Sequence, residues 1–200
     1  EVDFWIANDW TALPIVLDIA RERGTPFGYD THELSVEEYS QNLKWRLSIR
    51  PVIAEIERAG MKRAAFVSCV SDGIADHLAR IYGLAVRPQV IRNAPPYEAT
   101  TLRETPEQVK VLYHGVITRG RALEEIIASV RLWRPEFHLT IRGPADASYL
   151  ARLRELARSA GVEDRVAFDL PLPMTELVAA ARPFDIRLFA IRGHSLQNEF

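Results

Sequence analysis

The chain has 200 residues, 48% of them apolar and 26% charged, which supplies a packed core and excludes a disordered or fibrous chain. Twenty-five basic residues against 27 acidic ones leave a net charge of -2, so no global cationic field points to nucleic acid and no acidic tail appears. The single cysteine, Cys69, excludes an intrachain disulfide and makes a reducing compartment the expectation.

The chain opens at Glu1-Val2-Asp3-Phe4, already inside an apolar run, and stops at Asn198-Glu199-Phe200 without a terminating element. The expectation is an internal piece of a longer protein. There is no signal-peptide pattern and no apolar run long enough to span a bilayer. Phe4 to Ala7 is a short buried-strand pattern; Ala12, Leu13, Val16, Leu17 and Ala20 then follow helical spacing up to Gly24. Pro26 to Tyr29 predicts a second strand, and Val36 to Arg63 a long helical region that Pro51 breaks or kinks. Ala64 to Val70 predicts a strand around Cys69, whose apolar flanks mark a buried thiol rather than a nucleophile. Ser71-Asp72 caps a helix that runs through Tyr82 and stops at Gly83, and Val90-Ile91 is a short strand.

Residues 93–108 change character: proline and polar residues with little periodicity predict a linker between a domain over 1–92 and another over 109–200. Strand and helix then alternate again, with strands at Lys110–Tyr113, Phe137–Arg142, Val166–Leu170 and Asp185–Ala190. Helices are predicted at Ala122–Trp133, Ser148–Ala160 and Met174–Ala181. Repeated strand–helix–strand units with short apolar strands imply an α/β fold of parallel sheets covered on both faces.

In such sheets ligands sit beyond the carboxyl ends of the strands. The second exit is Asp30-Thr31-His32-Glu33, where a histidine beside two carboxylates suits proton transfer or a hydrogen bond to a sugar hydroxyl. The competing reading is a loop whose acids and threonine cap the next helix. The exit after Val111-Leu112-Tyr113 is His114-Gly115-Val116-Ile117-Thr118-Arg119-Gly120-Arg121. Gly115 allows close backbone approach. Arg119 and Arg121 fall at or just before a helix start, an unfavourable end of the dipole unless an anion sits between them. The alternative is two solvated arginines. No lysine-plus-hydroxyl ending makes this a P-loop. Gly143 follows the next strand and reads as a ligand approach or an ordinary Gly-Pro turn. Ser195 and Asn198 lie in a polar stretch after the last strand, suited to a sugar or nucleotide or to a plain loop. The histidines are scattered and Cys69 stands far from a second soft ligand, so no zinc spacing exists. Lys44, Trp45, Arg46 and Arg50 form a basic-aromatic patch that suits a membrane surface, though Glu37, Glu38 and Glu55 dilute it and a solvated helix face is the simpler reading.

At these exits the sequence resembles glycosyltransferase family 4 (group 1 glycosyl transferases), whose members have the GT-B fold of two Rossmann-like domains. Asp3 to Asp9 resembles a middle strand and helix entry of the N-terminal, acceptor-side domain. Tyr29 to Glu33 resembles its histidine–acid loop, and Ile91 to Pro95 the approach to the linker. His114-Gly115 through Gly120, with Leu123 to Ile127, resembles the first strand, loop and helix of the donor-binding domain, and Ser195 to Phe200 the start of its acid-containing motif. Three positions depart from the family pattern. Asn198 stands where the first glutamate of that motif is usual, Arg119 where a lysine is common, and Val116 where an arginine is usual.

The resemblance implies a hexosyltransferase that moves a sugar from a nucleotide-sugar to an acceptor hydroxyl on a glycan, lipid or small molecule, with retention. It implies no metal or other cofactor and no nucleic acid partner. His32 would position the sugar; Gly115, Arg119, Arg121, Gly143, Ser195 and Asn198 would contact the donor. The alternatives are a GT-B-type nucleotide-sugar epimerase and a non-catalytic sugar-nucleotide-binding module. A cytoplasmic location, free or at the inner face of the membrane, is expected. Arg119 and His32 are expected to face the cleft between the domains. The 200-residue chain alone is expected to be inactive and to self-associate through the open edges of its first and last strands.

Overall fold

The computed structural model describes residues 2–95, 97, 99, 104 and 106–191. The chain separates into two compact units that divide between Ala94 and Pro95, inside the proline-rich stretch. Each unit holds a four-stranded, wholly parallel sheet. The fold is α/β.

In the first unit, β1 (Trp5–Asn8), β2 (Phe27–Asp30), β3 (Phe66–Cys69) and β4 (Gln89–Val90) lie side by side in chain order. Helix α1 (Asp9–Arg23) ends where Gly24 adopts φ 64 and donates its N–H to the Ala20 carbonyl. The long helical region predicted over 36–63 is three pieces: a 3-10 turn at Ser35–Glu37, α2 (Leu43–Ser48) and α3 (Arg50–Met61). Pro51 does not kink a helix. It sits in the first turn of α3, where a missing N–H costs nothing, so the break falls ahead of it. Helix α4 (Asp72–Tyr82) starts at Ser71, whose hydroxyl accepts the Ile74 N–H, and stops at Gly83 with φ 61. Leu13 and Val16 from α1, Ile53 from α3 and Leu78 from α4 close one core over the sheet. Gly60 lets α1 and α3 pack closely: a Cβ there would lie 2.4 Å from the Leu13 side chain.

In the second unit the order is β7 (Val166–Asp169), β6 (Phe137–Arg142), β5 (Val109–His114), β8 (Ile186–Leu188). The first strand lies inside the sheet, and the chain crosses from β7 on one side to β8 on the other side of β5. This is the switch-point topology whose strand exits form ligand crevices. Helix α5 (Leu123–Ser129) continues as a 3-10 turn at Val130–Leu132, α6 spans Ala147–Ser159, and α7 (Leu177–Ala181) follows a 3-10 turn at Met174–Glu176. Leu123, Ile127, Leu139, Ile141 and Leu153 fill the core. The last strand is shorter than predicted; Asp185, just before it, instead accepts the Lys110 N–H through its side chain at 2.8 Å.

Candidate functional site

At the exit of β2 the polar groups are all engaged. The Asp30 carboxylate accepts the Ser68 hydroxyl at 2.8 Å through one oxygen, and its other oxygen lies 3.0 Å from His32 Nε2. Thr31 is fully buried; its N–H donates to the Ser68 carbonyl at 3.0 Å and its hydroxyl to the Glu33 carbonyl at 2.7 Å. Between these anchors His32 takes φ 51, a left-handed conformation that costs a non-glycine residue about 1 kcal/mol or more. Its ring is held by Asp30 yet is 44% exposed.

Directly beneath lies Glu57 of α3, completely buried. One carboxylate oxygen accepts the Tyr29 hydroxyl at 2.8 Å and the other the Tyr82 hydroxyl at 2.6 Å. Burial pushes the Glu57 carboxyl up, against the pull of the two hydroxyls. Burial and then the nearby Glu57 charge push both tyrosines up as well. The tie joins β2, α3 and α4 one residue before Asp30. At the next exit, burial raises the Cys69 thiol while the sulfur donates to the Ser71 carbonyl, as a structural strand thiol does.

The exit of β5 is built from backbone. The Gly115 N–H donates to the Arg142 carbonyl at 3.0 Å and the Ile117 N–H to the Pro144 carbonyl at 2.9 Å, so the loops after β5 and β6 interlock. Gly143 takes φ 154, and a Cβ on it would lie 1.9 Å from the Gly115 carbonyl oxygen. The close approach that Gly143 permits is therefore to the neighbouring loop. Gly115 has only ordinary contacts, with the Tyr113 hydroxyl 3.4 Å from a Cβ.

These loops and the start of α6 enclose a cavity of ≈ 560 Å³ lined by Val116, Thr118, Arg119, Pro144, Tyr149 and Arg152, among others. Arg119 is exposed and lies 5.8 Å from the centroid of the Tyr149 ring, a cation–π contact. Burial, then the Glu124 carboxylate, pushes the Tyr149 hydroxyl up to about 12. Among the described residues neither Arg119 nor Arg152 forms an ion pair. The α6 N-terminus is already capped by Asp146, which accepts the Ser148 and Tyr149 N–H groups.

Residues 1–94 match the family model described as the glycosyl transferase 4-like domain. No curated protein sequence matches the chain. Among solved structures, Anabaena Alr3699/HepE in complex with UDP superposes with a TM-score of 0.69 at 18% identity, over 89% of this chain and 51% of that one. The lipopolysaccharide outer core galactosyltransferase WaaB, without ligand, gives 0.64 at 16% identity, over 94% and 49%. A single-residue mutant of Staphylococcus aureus TarM, in complex with Fondaparinux, alpha-GlcNAc-glycerol and UDP, gives 0.62 at 11% identity, over 91% and 36%. These likenesses show the fold, that of GT-B glycosyltransferases. The chain spans about half the length of the first two neighbours and less of the third.

In the first unit, His32 stands just past the end of β2 with an exposed ring, beside the Asp30 that the sequence placed near it. In the second unit Gly115, Arg119 and Gly143 come together around one pair of loops, but not for the reasons read from sequence. Arg119 lies in the loop four residues ahead of α5. Ala122, at φ 50, precedes α5, and the first turn of α5 carries Glu124 and Glu125, which satisfy its dipole. The Tyr149 ring, not the dipole, accounts for where Arg119 lies. Arg121 is half-buried, near the Tyr113 hydroxyl, and does not line the cavity. Ser195 and Asn198 lie outside the described residues.

Sequence reasoning missed Glu57, which sits as one acid in a polar helix, and Tyr149 and Arg152, which are ordinary helix residues until α6 meets the β5 loop. It also passed over Arg142, which is buried at the end of β6. Arg142 pairs with Asp169 at 2.8 Å, donates to the Ala180 carbonyl and covers the Phe184 ring at 5.3 Å. Its signal was there: Arg142 and Asp169 end neighbouring strands in register. The pair is a structural clamp. Among the described residues no three His, Cys, Asp or Glu side chains gather as a metal site would require, and no helix is long and apolar enough to cross a membrane.

Proposed function

We propose that this chain belongs to a glycosyltransferase that moves a hexose from a UDP-sugar to an acceptor hydroxyl, with retention and without a metal. The observation that carries this reading is the cavity after β5 and β6, lined by Arg119 and Arg152, both within electrostatic reach of Glu124 but neither in an ion pair among the described residues. Charge develops on the departing diphosphate as the glycosidic bond to it breaks, and fixed cations there stabilise the transition state more than the ground state. Arg119 and Arg152 fill that role; Arg121 is demoted to a neighbour. The UDP complexes of HepE and TarM, on the same fold, support a uridine nucleotide as the donor carrier.

In the first unit His32, oriented by Asp30, offers a fixed hydrogen-bonding ring to a sugar hydroxyl. The acceptor is a glycan, lipid or small molecule. Titration of UDP into the chain, followed by calorimetry or NMR, tests the reading. Saturable binding that weakens about tenfold in Arg119→Ala is expected, the usual worth of a charge-assisted contact. Absence of saturable binding up to about 10 mM UDP would sink it.

Self-association belongs to the same proposal. Among the described residues β1 pairs only with β2, and β8 only with β5, which leaves two apolar strand edges unpaired. Light scattering is expected to show a mass that rises with concentration; a monomer at every concentration would overturn this part.

A further inference from the structure

We propose that Glu57 is a positioning residue for His32: its buried bridge to Tyr29 acts through Thr31 to hold the left-handed turn that presents the His32 ring. Glu57 is completely buried beneath the exit of β2, one oxygen accepting the Tyr29 hydroxyl at 2.8 Å and the other the Tyr82 hydroxyl at 2.6 Å. A carboxyl removed from water costs stability that an apolar side chain would not, so its place calls for a role besides packing. The neighbouring threonine supplies one. Thr31 is also fully buried, and its hydroxyl lies against both the Tyr29 hydroxyl and the Glu57 carboxyl. The same hydroxyl donates to the Glu33 carbonyl at 2.7 Å, reaching across His32.

The Glu33 N–H donates back to the Thr31 carbonyl, so residues 31–33 close a three-residue turn with His32 at its tip. With φ 51 at its centre this is the strained form of such a turn, which persists only where its surroundings over-determine it. Two fixed points on Thr31 do so. Its N–H donates to the Ser68 carbonyl of β3 at 3.0 Å, and its hydroxyl rests on the Glu57 bridge from α3. The consequence falls on the ring. His32 Nε2 lies 3.0 Å from Asp30; in the neutral imidazole it donates there, which leaves Nδ1 as the acceptor. A turn that relaxes carries the ring off Asp30 and lets either nitrogen hold the proton. The role of Nδ1 toward a sugar hydroxyl rests on the function proposed above; the positioning of the ring does not.

NMR of the chain, with neither donor nor acceptor present, reads the turn through hydrogen exchange of the Glu33 amide and the ring through the two His32 nitrogen signals. Thr31→Val removes the hydroxyl that rests on the bridge, and Glu57→Gln removes one of the two acceptor oxygens. In both, exchange at Glu33 is expected to rise about tenfold, and the ring signals to move from one held tautomer toward an averaged pair. Thr31→Ser keeps the hydroxyl and should restore both readings. Tyr82→Phe takes a hydrogen bond from the same carboxyl on the α4 side, so it loses similar stability but should leave Glu33 and His32 as in the parent. Glu57→Gln carries the test alone if Thr31→Val does not fold. An unchanged turn and ring in Glu57→Gln and Thr31→Val, or changes as large in Tyr82→Phe, would overturn the proposal. Neither reading involves nucleotide, so a failure to bind UDP would sink the donor assignment and leave this one standing.

Discussion

The exits of β2 and β5 both follow a tyrosine with a polar residue and a turn, yet they are fixed by opposite means. After β2 most of the anchoring groups are side chains, beside the backbone bond from the Thr31 N–H to the Ser68 carbonyl. Asp30 uses both oxygens, Thr31 uses its hydroxyl, and the buried Glu57 holds Tyr29 from below. After β5 the anchors are mainly backbone N–H groups and carbonyls of two interlocked loops, with the Tyr113 hydroxyl donating to the Val116 carbonyl, and the arginines lining the cavity beside them form no ion pair among the described residues. A side-chain-built exit presets one ring, His32, and is sensitive to protonation. A backbone-built exit has no acid or imidazole among its anchors and leaves its cations for a ligand.

The largest effect tests the first half of that contrast. Glu57→Ala removes the acceptor of two buried hydroxyls and opens a cavity among Tyr29, Tyr82 and α3. At about 1–3 kcal/mol for each unsatisfied group, a loss of about 4 kcal/mol in the first unit is expected. Glu57→Gln keeps the shape and one acceptor oxygen, and a loss of about 1–2 kcal/mol is expected. Denaturant unfolding of both variants measures this. Equal, small losses would show that the tyrosines find other partners and that β2 is not held from beneath.

Gly143→Ala tests the second half. The new Cβ meets a carbonyl oxygen at 1.9 Å on a backbone at φ 154, so the loops must separate, with a cost of about 3 kcal/mol. Gly115→Ala, one loop away, meets only ordinary contacts and should cost less than about 1 kcal/mol. The ratio of the two losses, read from unfolding midpoints, reports whether interlocking or ligand approach explains these glycines.

The pH dependence separates Glu57 from His77 and His114 by sign. Burial raises the Glu57 carboxyl in the folded state, so the folded protein binds its proton more tightly than the unfolded chain does. That contribution is fully present below the ordinary carboxylate range and is lost as pH rises through the folded value. His77 and His114, pushed down by burial and then by Arg80 and Arg142 respectively, act oppositely: their contribution is lost as pH falls below the usual imidazole range. Subtracting the Glu57→Gln profile from that of the parent isolates the carboxyl. The difference is expected to favour the parent more at pH 5 than at pH 8. A flat difference would mean that the two hydroxyls cancel the effect of burial.

The strands and their order along the chain were legible because each is a short apolar run bounded by a cap, a glycine or a proline. Gly24, Gly83 and Ser71 did at the helix ends what their residue types require. The placement of His32 followed from being two residues past β2. The remainder was not legible, because it depends on contacts across the fold. Nothing local to Glu57 tells that two tyrosines, 28 and 25 residues away, converge on it. Nothing local to Gly143 tells that the Gly115 carbonyl lies against it. The helix after the β5 loop begins at Leu123, one residue from the expected start, but Glu124 and Glu125 in its first turn already complement the dipole, so the dipole gives no account of Arg119.

The smallest effect on stability decides the most about function. Arg119→Ala removes an exposed cation–π contact with Tyr149, worth about 0.5 kcal/mol at such a site. It leaves no buried group unpaired. Its unfolding midpoint should match that of the parent within experimental scatter, while the affinity for UDP falls. Arg119→Lys keeps the charge but loses the planar stacking on the ring and the fork that grips two phosphate oxygens at once, so it should recover only part of the affinity. A structural arginine would show the reverse: a lower midpoint, restored by lysine wherever charge alone matters, and no change in nucleotide binding. If Arg119→Ala proves as destabilising as Gly143→Ala, Arg119 belongs to the interlock itself, and the contrast between a side-chain-built and a backbone-built exit fails at the residue on which the donor reading rests.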